Sequence, residues 1–279
     1  MSARIVEDRD PAELLALARD VALEAAALVA ERRRDSVSVA ATKSSEVDVV
    51  TEADRAAEAL IADRLLAARP ADGLVGEEGT GSSSASGVTW VVDPIDGTVN
   101  FLYDIPQYAV SIAARLDGGD AGSAGTDAVV AGVVVDVAKG ECFTATRGGG
   151  AWLGERRLRV REVAPMGQRL VATGFNYEQD IRLLQGRAVA SLLPHVRDIR
   201  RLGSAALDLC GLAAGRLDAY VEEGLAEWDL AAGGLIAQEA GARVAVGTGA
   251  GGKTCVVAAP EDGFDEFDAL VRTCGFLRD

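Results

Sequence analysis

The 279-residue sequence predicts a layered α/β sandwich (an α+β arrangement of alternating helix and sheet layers) with two packed sub-domains. Three observations predict it. Segments with helical and with strand periodicity alternate along the chain. Neither an internal repeat nor a clear linker interrupts them. The composition supplies a core: 49% of residues are hydrophobic and 25% charged, and a chain of this size buries roughly 75% of the surface its unfolded form exposes. Gly148-Gly149-Gly150 punctuates the middle, so the sub-domains are set at 1–149 and 150–279.

The first helix opens at Asp10-Pro11, a cap followed by a first-turn proline, and carries Leu14, Ala18, Val21, Ala25 and Leu28 at helical spacing. Thr51-Glu52-Ala53-Asp54 reads as a capping box. It starts a second helix with Ala53, Ala57, Leu60, Ile61, Leu65 and Ala68 on one face, stopped by Pro70. Leu74-Val75-Gly76 is a short strand, and the Gly/Ser-rich residues 79–87 read as a flexible loop. Thr89 to Val92 form a strand that ends at Asp93-Pro94, with further strands near 107–116, 127–137 and 141–146. In the second half, Leu170–Thr173, Asp198–Leu202, Leu217–Val221, Val244–Val246 and Cys255–Ala258 read as extended. Residues 178–193, 204–214, 228–240 and 264–273 read as helical. Gly241 suits the position just past a helix end.

Forty-three acidic residues against 28 basic ones give a formal charge of −15. Such a chain repels nucleic-acid backbones, although a bound divalent cation can reverse the local sign of a site. No uncharged apolar stretch reaches the length of a membrane span, and the charged opening residues do not read as a secretory signal. Cys142, Cys210, Cys255 and Cys274 form no C-x-x-C pair, and His195, which reads as a surface residue, is the one histidine. A zinc site is therefore not expected; buried free thiols in a reducing cytoplasm are.

The densest chemistry lies in Trp90-Val91-Val92-Asp93-Pro94-Ile95-Asp96-Gly97-Thr98-Val99-Asn100-Phe101. An apolar strand delivers two carboxylates three residues apart. Pro94 stiffens the turn between them, and Gly97 lets the backbone turn sharply. Hard oxygen ligands at this density suit magnesium, and a helix beginning near Thr98 would point free N–H groups at an anion. Asp-x-x-Asp alone would be an ordinary turn; the complete string after a buried-type strand is not. Gly76-Glu77-Glu78-Gly79, alone, reads as a solvated loop. In Glu227-Trp228-Asp229-Leu230-Ala231-Ala232-Gly233, Asp229 reads equally as a simple helix cap. Gly233 and Gly234, inside that helix, imply close packing that offsets their cost.

Together these segments resemble the inositol monophosphatase family of the lithium-sensitive, metal-dependent sugar phosphatase superfamily, over essentially the whole chain. Asp48 through Asp54, Gly76-Glu77-Glu78, Asp93 through Phe101, and Trp228 through Gly233 continuing to Gly241 stand in that family's order and spacing; Ala242 departs from it, where a glycine is often found. The resemblance implies an inositol-monophosphatase-like fold with the site at the sub-domain junction. It implies a magnesium site of Glu77, Asp93, Asp96, Asp229 and the Ile95 carbonyl, with most ligands in 1–149 and Asp229 in 150–279. Glu77, Thr98 and Asp54 take the catalytic roles. Gly97 and Thr98 hold the phosphate; Gly203, Ser204, Ala205, Glu222 and Asp229 contact the substrate; Lys43 stands near the rim. The implied reaction is hydrolysis of inositol 1-phosphate by metal-activated water, in a cytoplasmic homodimer inhibited by lithium. Fructose 1,6-bisphosphate, histidinol phosphate and 3′-phosphorylated nucleotides are the alternatives within that chemistry, with selectivity expected around Phe175-Asn176-Tyr177 and Glu222. A family member acting through protein partners is the alternative outside it.

Gly247 through Thr254 fits G-x-x-x-x-G-K-[ST], the nucleotide phosphate loop. That loop needs a helix after it. Cys255 to Pro260 read as a strand instead, so a Gly-rich hairpin is expected.

Overall fold

Period-two alternation along the strands builds two sheets covered on both faces. In β5 (Val88–Asp96), Trp90 and Val92 join one core and Val91 joins another, as a pleated strand between two layers requires. In β15 (Thr254–Pro260), Cys255, Val257 and Ala259 face one way, Val256 and Ala258 the other. The computed structural model describes residues 9–34, 39–42, 49–118 and 126–278. The expectations placed on Lys43 and Asp48 lie outside the described residues.

Besides β5, the larger sheet contains β3 (Gly73–Gly76), β4 (Gly81–Ser82), β6 (Ala109–Leu116), β7 (Val129–Asp136), β8 (Glu141–Thr146), β9 (Gly150–Leu153) and β10 (Arg156–Arg157). Their order is β10-β9-β8-β7-β6-β5-β3-β4. The β3–β5 pair is parallel and the other pairs antiparallel. The smaller sheet has β11 (Leu170–Thr173), β12 (Asp198–Arg200), β13 (Ala219–Glu223), β14 (Ala242–Thr248) and β15, in the order β12-β11-β13-β15-β14. A short antiparallel pair, β1 (Val39–Thr42) with β2 (Val49–Thr51), stands apart.

The helices complete the layers. α1 (Pro11–Arg34) and α2 (Glu52–Ala68) bury Leu14, Val21, Ile61 and Leu65 on the Trp90 face of the larger sheet. α5 (Ala205–Ala213) and α6 (Glu227–Glu239) lie between the sheets. They bury Cys210 and Leu235 with the larger one and Leu209 and Ala237 with the smaller. α4 (Gln179–Leu192) and α7 (Phe264–Thr273) cover the far face of the smaller sheet. The layers therefore run helix, sheet, helix, sheet, helix, as the alternation in the sequence predicts. Gly233 is the point of closest approach: a Cβ there would stand 3.1 Å from the Ala206 carbonyl oxygen and 3.1 Å from Leu209, so α5 and α6 pack backbone to backbone. No helix among the described residues is long and apolar enough to cross a membrane.

Four local readings change. Residues 79–87 contain the edge strand β4, and the segment is pinned by Asp72. That buried carboxylate accepts from Ser86 Oγ (2.6 Å), Arg69 Nε (2.5 Å) and the Trp90 indole N–H (3.0 Å). Composition shows the glycines and serines but not the distant partner that holds them. Second, β5 does not stop at Val92 but runs through Asp96, with its register to β6 shifting between Asp93 and Asp96; Pro94, which has no N–H to give a ladder, sits within the irregular stretch. Third, β9 opens at the end of the Gly148-Gly149-Gly150 run, where three glycines masked a strand too short to show a period. The helix apolar faces also end early, since Ala68 is exposed.

Candidate functional site

The parallel pairing of β3 and β5 brings their carboxyl ends side by side, and each end delivers a carboxylate. The Glu77 backbone N–H donates to the Val92 carbonyl at 3.2 Å, so Glu77 leaves β3 level with Asp93. Past Asp93 the irregular stretch carries the chain to Gly97, which has φ +98° and serves as the cap of α3 (Thr98–Leu102). A side chain there would meet the Gln107 carbonyl oxygen at 2.9 Å, so both conformation and space call for glycine.

Two helices from the second half meet this turn end-on. At the start of α5, Ser204 Oγ and the Ala206 N–H donate to Asp96 Oδ2 at 2.5 and 2.8 Å, and the Ala205 N–H donates to Oδ1 at 3.3 Å. Asp96 thus caps a helix distant in sequence, and the unpaired N–H groups of that helix favour its charge. At the start of α6, Asp229 Oδ2 accepts from the Ala226 N–H at 2.7 Å. Asp229 is not the simple cap: Ala226 occupies the cap position and Asp229, three residues on, holds its N–H, which leaves the other carboxylate oxygen for the cleft. Asp93, Asp96 and Asp229 each place an oxygen within 4.8 Å of the others, a set able to hold a metal ion.

These residues line a cleft of about 560 Å³ together with Glu77, Ile95, Gly97, Thr98, Gly203, Ala205 and Glu222. Burial, then the charges of Glu77, Asp96 and Asp229, push the Asp93 carboxyl well above the ordinary carboxylate range. Burial, then Asp96 and Glu77, do the same to Asp229, although its residue surface is only half-buried. Asp96 rises to about 6, burial outweighing the hydrogen bonds from Ser204 and Ala206. Glu222 is pushed up to about 7, again by burial, against the opposing Tyr220 hydroxyl and Arg201 charge. The Tyr220 hydroxyl donates to Glu222 Oε2 at 2.8 Å. The like-charged oxygens of Asp93, Asp96 and Asp229 repel one another, and a cation held among these three would relieve them.

Asp54 does not line the cleft. It lies fully buried behind it, and the Thr98 hydroxyl reaches it at 2.9 Å and the Ile95 carbonyl oxygen at 3.0 Å. The expected capping box is present: the Thr51 backbone N–H donates to Asp54 Oδ2 at 2.8 Å, and the Thr51 hydroxyl donates to the same oxygen. Ser204 is also buried, its hydroxyl committed to Asp96 and to the α5 cap. His195 is exposed, and Cys210 and Cys255 are buried free thiols.

Glu58, which the sequence reading passed over, holds the Glu77 turn. Its carboxylate accepts from the Glu78 N–H at 2.8 Å and the Thr80 N–H at 3.0 Å and is itself buried. A Cβ on Gly76 would stand 2.4 Å from Glu58 Oε2, so glycine before Glu77 makes room for this clamp. A signal was present: Glu58 lies one helical turn after Asp54, an acid on an otherwise apolar helix face. Asn100 is a second such residue, its amide donating to the Gln107 and Leu202 carbonyl oxygens at 2.8 Å each.

The sequence profile of the inositol monophosphatase family matches residues 10–271. Inositol-1-monophosphatase SuhB of Mycobacterium tuberculosis is 45% identical over 289 aligned positions, covering 96% of this chain and 97% of that protein. Nus factor SuhB of Pseudomonas aeruginosa is 43% identical over 223 positions, covering 78% of each. The solved structure of Mycobacterium tuberculosis SuhB superposes with a TM-score of 0.81 at 43% identity, over 97% of this chain and 100% of that one. The fold, the acidic cleft and this whole-chain similarity agree: the chain belongs to the inositol monophosphatase family.

Proposed function

We propose that this chain is a magnesium-dependent phosphomonoester hydrolase whose substrate is inositol 1-phosphate. The observation that carries the proposal is the convergence of Asp93, Asp96 and Asp229 within 4.8 Å in a cleft that Glu77 and Thr98 also line. The donor set fits the metal. It is all oxygen, with no sulfur or imidazole, and a hard divalent cation prefers that set. Glu77, Asp93, Asp96, Asp229 and the Ile95 carbonyl would hold it. When bound, the cation supplies positive charge to the phosphate and leaving oxygens and acidifies water.

The chain's own groups do the rest. Gly97 and Thr98 open α3, whose first N–H groups have no partner within the helix and suit a phosphate. The Thr98 hydroxyl has one proton and two acceptors, Asp54 and the Ile95 carbonyl. Giving that proton to Asp54 lets Thr98 Oγ1 take one from the attacking water, so the proton ends on a buried carboxylate. Burial pushes Asp54 upward in pKa, which favours that transfer. Water attacks phosphorus opposite the leaving oxygen, the bond from phosphorus to that oxygen breaks, and the leaving oxygen takes a proton from solvent water, while positioning with charge neutralisation supplies the catalysis. Glu222 accepts a hydrogen bond from a substrate hydroxyl. Lithium inhibits by occupying a cation position.

The test is phosphate release from a panel of monoesters, with and without magnesium. Turnover of inositol 1-phosphate above that of simple alkyl phosphates, lost on chelation, supports the reading. Full activity after exhaustive chelation overturns it. The name of the Pseudomonas aeruginosa relative favours one other reading, a regulator working through macromolecular partners. No metal-dependent release from any panel member would favour that one.

A further inference from the structure

The smaller sheet brings its own pair of parallel strand ends to the cleft. β11 and β13 run parallel with Thr173 level with Val221, so Gly174-Phe175-Asn176-Tyr177 leaves the sheet beside Glu222-Glu223-Gly224. Phe175, Asn176, Tyr177, Glu222 and Gly224 line the cleft. The two ends interlock, each laying a side chain over a glycine of the other. A Cβ on Gly174 would stand 1.9 Å from Glu222 Oε1, and a Cβ on Gly224, where φ is +110°, would stand 2.3 Å from the Asn176 amide nitrogen. The position of the Glu222 carboxylate therefore depends on where the 174–177 segment lies.

One buried side chain joins these ends. Gln185 stands in the inward stripe of α4 with Ile181, Ala188 and Leu192, and it is 3% exposed. Its Oε1 accepts from the Asn176 backbone N–H at 2.9 Å, and its Nε2 donates to the Glu223 carbonyl oxygen at 2.9 Å. The partners fix the orientation of the amide: turned over, it would set nitrogen against N–H and oxygen against carbonyl. A buried amide is costly unless it is hydrogen-bonded, and here both of its ends are.

The Glu223 end is itself anchored. Its buried carboxylate accepts from the Lys253 N–H at 3.1 Å, and a Cβ on Gly249 would stand 2.1 Å from its carboxyl carbon. These contacts come from the hairpin whose string fits the phosphate loop. β14 and β15 pair as far as Thr248–Thr254, and a strand follows the lysine, so the string forms the expected Gly-rich turn. With Glu223 held from the hairpin side, Gln185 ties Asn176 to a fixed point. Asn176 passes the constraint on: its Oδ1 accepts from the N–H of Glu178, the cap of α4, at 2.9 Å.

We propose that Gln185 is a positioning residue for substrate choice. It does not line the cleft. It holds the 174–177 segment and, through the contact of Gly174 with Glu222, the carboxylate that meets a substrate hydroxyl. The proposal rests on the phosphatase reading for the reaction itself, and it assigns the preference for a polyol phosphate to a group outside the cleft. Neither hydrogen bond of Gln185 reaches Asp93, Asp96 or Asp229, so the response to magnesium should not depend on it.

The test uses Gln185→Met, which keeps length and bulk and loses both hydrogen bonds. Val189→Ala is the control, trimming the same helix where it packs on the core of the smaller sheet. The readout is the ratio of kcat/KM for inositol 1-phosphate to that for ethyl phosphate. In Gln185→Met this ratio should fall at least about fivefold, the order of one hydrogen bond. The loss should lie in KM for inositol 1-phosphate, with kcat and the magnesium concentration for half-maximal rate within about twofold of the parent, as for lost uniform binding. Hydrogen exchange of the 174–178 amides should quicken while that of 93–98 is unchanged. Val189→Ala should lower Tm and leave the ratio and the exchange at 174–178 as in the parent. Gln185→Glu keeps an oxygen for the Asn176 N–H, so its ratio should fall less, by at least about twofold; it decides the matter if Gln185→Met does not fold. An unchanged ratio, equal losses on both esters, or a fall of the same size in Val189→Ala overturns the proposal. If neither ester is hydrolysed by the parent, the phosphatase reading fails. Exchange then decides the positioning role, because unchanged exchange at 174–178 in Gln185→Met overturns it.

Discussion

The two walls of the cleft are built in different ways. The wall from the larger sheet places Glu77 and Asp93 at the ends of paired parallel strands and fixes them through backbone: Glu77 N–H on Val92, a cramped Gly97, and Asp96 spanning to α5. The wall from the smaller sheet presents Glu222, Arg182 and Lys253 as side chains on a strand end, a helix turn and a hairpin. The first kind of wall holds atoms in place and suits charge neutralisation, which depends on fixed geometry. The second varies through its side chains while the sheet beneath is unchanged, and suits choice among substrates. Substitutions in the first wall should therefore abolish chemistry, and substitutions in the second should redistribute it.

The largest effect should come from Asp93→Asn. Size is kept and one ligand charge is lost. kcat should fall at least about a hundredfold, the range for removing one preorganised electrostatic group, while circular dichroism reports a retained fold. Near-native turnover would mean that the carboxylates of the first wall are not the metal site.

Next in size is the clamp behind that wall. Glu58→Gln leaves an amide whose nitrogen cannot accept from the Glu78 or Thr80 N–H groups. Groups that orient ligands typically cost 10–100-fold in metal affinity or activity when removed. The magnesium concentration for half-maximal rate should rise by that order, with KM for substrate at saturating magnesium nearly unchanged. Gly76→Ala should do the same through collision with Glu58. Equal damage to magnesium response and KM would reduce the clamp to general stability.

These two predictions also separate what the sequence makes legible from what it does not. The alternation of layers was legible because helical and strand-like apolar segments alternate along the chain, although α6, buried continuously from Leu230 to Ala237, carries little period of its own. In the first wall, Asp93 and Asp96 were legible because they sit in one dense string after a buried-type strand, whereas Glu77, whose string alone reads as a solvated loop, came through family resemblance. Glu58 was missed because its partners, the backbone N–H groups of Glu78 and Thr80, are some twenty residues away and leave no local trace. The pinned 79–87 segment was missed for the same reason, with Asp72 and Trp90 supplying partners that composition does not show. The wall of the smaller sheet was half legible: Glu222 came through family resemblance, but Arg182 and Arg201 belong to no string, and their convergence exists only in three dimensions.

The carboxylates of the first wall also set how stability depends on pH. Asp93 and Asp229 have folded pKa values well above an ordinary carboxylate, and Asp96 about 6. The folded state therefore holds more protons than the unfolded one between roughly pH 4, the unfolded value, and pH 6 or above. Without metal, the contribution of this cluster is full below about pH 4 and is lost as pH rises through the folded values. Metal-free protein should accordingly melt higher at pH 5.5 than at pH 7.5, and Asp93→Asn should flatten that slope. Magnesium should reverse it. A ligand that binds only the folded state adds about 2.7 kcal/mol at a hundred times its dissociation constant, and protons compete with it at low pH. The magnesium-induced rise in Tm should thus be larger at pH 7.5 than at 5.5. A slope unaffected by Asp93→Asn would place the cause elsewhere in the acidic chain.

The smallest effect should come from the other wall. Glu222 stands beside Tyr220, whose hydroxyl donates to it at 2.8 Å, and its pKa of about 7 makes it part neutral at neutral pH. Glu222→Gln keeps the shape and an acceptor oxygen but removes the charge and its titration. Because the residue touches no cluster oxygen in the hydrogen-bond network, magnesium dependence should stay within about threefold of the parent. What should change is discrimination. A site built to pair with a substrate hydroxyl rejects an analogue lacking it, since its own polar group is then left unpaired. The parent should therefore favour inositol 1-phosphate over a simple alkyl phosphate more strongly above pH 7, where Glu222 is ionised, than below it. In Glu222→Gln that pH dependence of the ratio should vanish, with the ratio itself lowered several-fold. Equal losses on both esters at every pH would remove Glu222 from substrate choice and leave the loop around Phe175, Asn176 and Tyr177 to carry it.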